Sequence, residues 1–534
     1  MSAGMASSGW PVPRTNKWLV TVSVTFGTLM GTIDASIVNV ALPHIRGSVG
    51  ATVEEITWIT TGFIIANVIV MPLTGFLGRM FGQKRVYLFS LGVFLLGSAL
   101  CGTAQSLETL VAWRVLQGLG AGALQPTEQA ILRQTFPPQE QGMAMAVFGM
   151  AVVIGPALGP TLGGYITDSY SWPWIFYINL PVGLLGMVMV ASFVHEDHDL
   201  ARRNHALALA QRRNVDWAGI ALLVIGLSAL QYFLEEGTRY DWFDDRIITV
   251  CFWVAAIGLA AFVWRELTAR VPVVNLRLFR DATFLSGTLI GSVMFAMLMA
   301  SMFMLPLFMQ EMLGFTATQS GLALMPRALV TLVCTPVVGR LYNSVSPRIL
   351  VGFGITVVSL GALLQSRFTL DTSQAGVVTC TAIQGVGFAC LFVPLTAAAL
   401  SGIPRHQLPD ATGLNSLFRQ VGGSIGLAVF ATVLTRGAAP ARYAIAAHLA
   451  ETDALTRDRL AQIVQGMIQR GLHPAQAAAA ARGILQGLMA RQAMVLAFEK
   501  VFLLVGLMFM GVVPLLLFLR SAHHGHAPAS VHAE

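Results

Sequence analysis

Apolar residues in this chain come in long unbroken runs separated by short polar stretches. That is neither the two-residue beat of a half-buried strand nor the 3.6-residue beat of a surface helix. A run of about 18–28 residues, coiled as α-helix, matches the hydrocarbon thickness of a bilayer. The pattern predicts fourteen such spans. The first six lie near 18–42, 56–77, 86–104, 107–131, 143–166 and 173–194. Two follow near 216–234 and 247–266, and six more near 282–310, 317–342, 348–366, 375–400, 410–435 and 494–519.

Composition narrows this to an all-α polytopic membrane protein. Of 534 residues, 55% are hydrophobic and 11% charged, against roughly 25% charged in a soluble protein. The first run follows Arg14 and Lys17, is too long for a signal-peptide core and has no clear cleavage site, so it reads as a retained span. Cys101, Cys251, Cys334, Cys380 and Cys390 all fall in apolar runs, which predicts neither a disulfide nor a cluster.

The net charge of +7 reads as an orientation signal and not as a nucleic-acid surface. With the N-terminus in the cytoplasm, Arg14, Lys17, Arg79, Lys84, Arg85, Arg133, Arg202, Arg203, Arg212, Arg213, Arg265, Arg270, Arg277, Arg280, Arg340, Arg348, Arg405 and Arg520 all fall on inner segments. Short outer loops hold only Arg46, Arg239, Arg246 and Arg367. An even number of spans then puts both termini in the cytoplasm.

The two halves repeat. Pro72-x-x-Gly75-x-Leu77 matches Pro336-x-x-Gly339-x-Leu341, Gln117-Gly118-x-Gly120 matches Gln384-Gly385-x-Gly387, and Gly155-x-x-x-Gly159 matches Gly422-x-x-x-Gly426. Three matches in one order indicate a duplicated six-helix unit, the build of many secondary transporters. The expected organisation is a cytoplasmic segment 1–17, a six-helix bundle 18–194, a linker with two extra helices 195–281, a second bundle 282–519 and a tail 520–534. A long outer loop, 436–493, interrupts the second bundle and has helical character.

The stretch 151–166, AVVIGPALGPTLGGYI, is unusual for lipid. Gly155, Gly159 and Gly163, with Gly164 beside them, lay a bare stripe along a helix, while Pro156 and Pro160 each remove an amide donor. Such a helix must face protein or a water-filled path, and it is expected to bend there and seal the halves together. The alternative is a tightly packed structural helix.

Charges at bilayer depth need a reason. Asp34 and Arg114 lie at similar distances from the outer ends of the first and fourth spans, so they can pair. Asp34 is the candidate proton carrier, the alternative being a purely structural ion pair. Glu128 is a second candidate acid, or else a solvated helix end; Arg327 and Arg419 with Gln420 are candidates for the substrate cavity, or else braces bonded to carbonyls. Met302 and Phe303 belong to a Met- and Phe-rich ninth span suited to an adaptable apolar pocket, or to packing and lipid contact.

Other motifs fail. There is no Gly-Lys dipeptide and hence no phosphate loop of the ATPase type. Gly118-Leu119-Gly120-Ala121-Gly122 lies inside a span and not in a dinucleotide site, and His195-Glu196-Asp197-His198 lacks zinc-protease spacing. His523, His524, His526 and His532 belong to a tail expected to be disordered.

Several of these stretches resemble one family. Residues 151–166 resemble the antiporter signature of the major facilitator superfamily. Ile33-Asp34-Ala35-Ser36-Ile37-Val38-Asn39-Val40-Ala41-Leu42-Pro43 and Trp113-Arg114-Val115-Leu116-Gln117-Gly118-Leu119-Gly120 resemble motifs of its fourteen-span drug:proton antiporters. Gly75, Arg79, Gly82, Lys84 and Arg85 resemble the inner loop motif, with Arg79 where an acid is common. Trp174 to Pro181 and Arg419 to Gly426 resemble the EmrB/QacA-type branch, with Pro173 in place of a common Arg. The resemblance implies two six-helix bundles plus two central helices, with proton-coupled multidrug efflux across a bacterial inner membrane. It implies no cofactor beyond the proton gradient, amphiphilic substrates, and a periplasmic adaptor with an outer-membrane channel as partners. A proton-linked transporter of a polar metabolite or siderophore-like solute is the alternative; no constellation supports an enzyme.

Overall fold

The computed structural model describes residues 16–137, 140–195, 215–269, 272–342, 344–447 and 454–518. Outside them lie Arg14, the residues 196–214 with Arg202, Arg203, Arg212 and Arg213, Arg270, part of the outer segment, and the tail with Arg520 and its histidines. The described chain forms long helices. The first bundle consists of α1 (Lys17–Val49), α2 (Trp58–Phe81), α3 (Gln83–Gly102), α4 (Leu107–Thr135), α5 (Gln141–Ser169) and α6 (Asn179–Phe193). Two central helices follow, α7 (Trp217–Glu236) and α8 (Arg246–Thr268). The second bundle comprises α9 (Ala282–Glu311), α10 (Ala317–Leu341), α11 (Pro347–Gln365), α12 (Gln374–Ala399), α13 (Leu408–Ala447) and α15 (Pro474–Gly511), with α14 (Ala454–Gln469) between the last two.

Thirteen of these, among the described residues, are long and apolar enough to cross a membrane. The remaining predicted span, the fourth, is α4; it is long enough at 29 residues but carries Glu108, Arg114, Glu128 and Arg133. Glu108 is exposed at the helix start and Arg114 is paired with Asp34, while the inner part, packed between α2 and α3, is buried from Gly120 to Arg133 except at Gln125. Helix starts are set locally. Ser106 and Thr109 form a reciprocal cap at α4, and Thr316 with Gln319 does the same at α10.

The duplicated unit is visible in the packing. In the first bundle α1 lies on α5 and α6, and α4 lies on α2 and α3. In the second, α9 lies on α13 and α15, and α12 lies on α10 and α11. The halves meet along two seams, α5 against α10 and α2 against α13. Helix α7 covers the second seam. Its Glu236 accepts bonds from Thr57, just before α2, and from Thr61 of α2, while its Gln231 donates to Ser424 and Trp242, beyond its end, donates to Thr432, both acceptors lying on α13.

One end of the molecule, called the inner end, holds Lys17, Arg79 and Arg405, residues that the charge pattern leads one to expect on the cytoplasmic side. There the two halves are shut against each other: α12 from Gly387 to the helix end and α13 from Leu408 to Leu417 are buried without a break.

The outer segment 436–493 is largely helical where it is described. Helix α13 runs 40 residues to Ala447 and α15 begins at Pro474, so both spans continue as rods past their predicted ends. An Ala-rich sequence with no glycine or proline strong enough to stop it simply stays helical; α13 passes through Pro440.

Candidate functional site

The centre of the first bundle holds an ion pair. Arg114 Nη1 lies 2.6 Å from Asp34 Oδ2, and both side chains are fully buried. The other carboxylate oxygen accepts from Gln117 Nε2 at 2.8 Å and Asn179 Nδ2 at 2.9 Å. Arg114 also donates to Gln117 Oε1 and, through Nε, to the Ile59 carbonyl, and its guanidinium lies 4.1 Å from the centre of the Phe63 ring. Asn179 is itself braced by Ser98. Helices α4 and α6 thus bond directly to one carboxylate on α1, while α2 and α3 brace the donors from behind. The predicted pairing is present, and its supports Gln117, Asn179 and Ser98 were not singled out in sequence. Gln117 carried a signal, since it opens one of the repeated motifs.

Helix α5 presents its glycines to this site. A Cβ on Gly155 would stand 2.0 Å from Thr32 Oγ1, and one on Gly159 1.8 Å from Ser36 Oγ. The stripe therefore clasps α1 on either side of Asp34, continuing with Gly163 against Ile37. This corrects the expectation that the stripe seals the halves together: the glycine face turns into its own bundle, and the α5–α10 seam is made elsewhere, for example by Gly142 against Gly339. Gly164 has no atom within 4 Å of a built Cβ and is not part of the clasp. Pro156 and Pro160 sit inside the continuous helix α5.

The second bundle mirrors the first with one charge missing. Arg327 Nη2 donates to Ser301 and Gln384 at 2.8 and 2.7 Å, and Gln384 is tied to Gln365. Ser301 and Gln384 stand 267 residues after Asp34 and Gln117, the spacing of the glycine repeats. Arg327 is thus buried with no carboxylate among its described partners.

Arg419 of α13 lies between the bundles and is 3% exposed. Its guanidinium is 5.7 Å from the ring centres of Phe148, Phe295 and Phe392 and, among the described residues, donates to Gln125 Oε1 at 3.5 Å. Gln420 is half-buried beside it. Met302 packs against the core, whereas Phe303 is 42% exposed and lies outside the buried cluster. Glu128 is wholly buried instead of ending the helix in solvent; Thr25 of α1 donates to one oxygen at 3.0 Å.

At the inner end Arg79 pairs with Asp410 of the other half and donates to the Val273 carbonyl. Gly75 makes room for that aspartate: a Cβ there would stand 2.7 Å from the Asp410 Cα. Gly82 takes φ +88°, a conformation open to glycine, to turn α2 into α3. Lys84 donates to the Ala191 carbonyl, and Arg85 is exposed.

The family profile described as "Major Facilitator Superfamily" matches residues 24–427. The chain belongs to the Major Facilitator Superfamily. Within the superfamily it is similar to the multidrug export protein EmrB of Escherichia coli, at 34% identity over 80% of this chain and 81% of that one. It is also similar to the fatty acid resistance protein FarB of Neisseria gonorrhoeae, at 31% identity over 95% and 96%. Among solved structures it resembles the human organic anion transporter MFSD10, with a TM-score of 0.58, 16% identity, and coverage of 93% of this chain and 100% of the other. That likeness supports the superfamily fold alone. Membership puts this many-span membrane protein among transporters rather than enzymes.

Proposed function

We propose that this chain exports lipophilic drugs across the bacterial inner membrane in exchange for protons, by alternating access between its two bundles. The observation that carries the reading is Asp34: a carboxylate at the heart of the first bundle, fully buried and bonded by three donors from two other helices. Every group facing it donates. A proton on either oxygen removes the charge that holds Arg114 and puts an O–H where a donor already points. The cluster must then rearrange, and the helices it joins are displaced with it. In this cycle a proton from outside neutralises Asp34, substrate leaves outward, and the proton is released inside during the reset. Similarity to a multidrug export protein supports the direction. Clustering of Lys17, Arg79, Arg133, Arg340 and Arg405 at one end supports cytoplasmic termini.

The rods α13 and α15 with α14 rise beyond the bilayer on the other side. At 1.5 Å per residue, α13 is about 60 Å long against a hydrocarbon core of about 30 Å. A periplasmic adaptor, leading to an outer-membrane channel, is the partner proposed for this hairpin. The central test is Asp34→Asn in proteoliposomes with an imposed pH gradient. Gradient-driven efflux should vanish while the protein remains folded in the membrane; efflux at the wild-type rate refutes the proposal.

A further inference from the structure

A buried carboxyl can shed its charge by taking a proton, but a guanidinium keeps its charge. The deep arginines therefore say more about what must meet them than the deep acids do. Arg114 has Asp34. Arg419 has no carboxylate: its Nε and Nη1 are without a hydrogen-bond partner among the described residues, and its one bond, to Gln125, is long.

Its surroundings are those of a binding site. Phe148 comes from α5 of the first bundle, Phe295 from α9 and Phe392 from α12 of the second, and Gln125 from α4. Ring faces attract a cation but offer no lone pair to its N–H groups. A structural brace would be expected to aim a guanidinium at carbonyls or carboxylates, as Arg114 is aimed at Ile59 and Asp34. Arg419 instead presents two unmet donors inside an apolar cage shared by the two halves, where a rocking carrier must hold its cargo.

We propose that Arg419 is the head-group site of the transport path and selects amphiphilic anions: a carboxylate, sulfonate or phenolate on an apolar body. The anion meets Nε and Nη1, and the apolar body lies along the three phenylalanines. The proposal rests on the export reading above and names its substrate class. Glu128, the nearest candidate acid along α4, is bonded to Thr25 of α1, one turn from Gln125, and does not cancel this charge.

The test uses binding, so that it stands apart from transport. The full chain in phosphatidylcholine nanodiscs is titrated with 11-(dansylamino)undecanoate and with its methyl ester, and the signal of empty nanodiscs is subtracted. Wild type should bind the carboxylate about tenfold more tightly than the ester, the scale of one charge-assisted hydrogen bond. Arg419→Gln should bring the ratio close to one while ester binding changes less than about twofold; Arg419→Lys should keep part of the preference. A wild-type ratio near one, or a preference for the ester, overturns the proposal without recourse to any variant. So does an Arg419→Gln protein that keeps the tenfold ratio. If the ratio behaves as expected but Asp34→Asn still exports, the head-group site stands and the proton reading falls.

Discussion

Arg79 and Asp410 form an ion pair that joins α2 of the first bundle to the start of α13 in the second. The loop motif commonly carries an acid where this chain has Arg79. Here the polarity is reversed and the acid comes from the opposite half. Asp410 is buried, so removing Arg79 strands a carboxylate at the inner seam, a loss of about 3–5 kcal/mol by analogy with other broken buried pairs. Arg79→Asp and Asp410→Arg should each lower the unfolding midpoint and the export rate, and the double exchange should restore most of both. A double variant as impaired as the sum of the singles would show that the pair does not act as a latch.

Asn179 and Gln117 both donate to the buried carboxylate of Asp34, at 2.9 and 2.8 Å. Asn179→Leu deletes one of these donors and should cost about 1–3 kcal/mol, read as a lower unfolding midpoint. Export should fall with it, because the lost bond ties α6 to α1. Midpoint and export measured on the same preparation check this; wild-type values of both contradict it.

Close contact between α1 and α5 makes opposite forecasts for two glycines in one motif. Gly155→Leu drives a side chain into Thr32, whose backbone carbonyl carbon would stand only 3.0 Å from the new Cβ, and should abolish export by forcing the helices apart beside Asp34. Gly164→Leu meets open space and should leave export within about twofold of wild type, in line with ordinary surface changes. Equal damage from both would mean that the motif acts through backbone flexibility and not through contact.

Gln384 accepts from Arg327 and is tied to Gln365. Gln384→Leu leaves the buried guanidinium with Ser301 alone and should cost about 1–3 kcal/mol, seen as a lower unfolding midpoint. An unchanged midpoint would mean that water or substrate already serves Arg327.

Most of the architecture could be read from the chain because a bilayer allows few alternatives. Long apolar runs must coil, and the glycine repeats disclosed the duplication that the packing then displays. The pairing of Asp34 with Arg114 followed from equal depth. Other features depend on rotation about a helix axis, which composition does not carry. The direction of the Gly155 stripe, the burial of Glu128 and the exposure of Phe303 are all of that kind. Asp410 was missed because it lies 331 residues from Arg79 and stands near a helix start, where an acid is unremarkable. Asn179 lay within a quoted motif but gave no sign of the oxygen it would reach.

The continuous rod α13 has a mechanical consequence. Its first turn is anchored in the closed seam by Asp410, Arg419 follows on the same helix, and the helix runs on to Ala447 alongside α15. A small pivot at the anchored foot becomes a wide sweep at the tip. One continuous helix therefore joins the Arg79–Asp410 pair, the Arg419 cage and the far end at Ala447, so a tilt at its foot would be carried along its whole length.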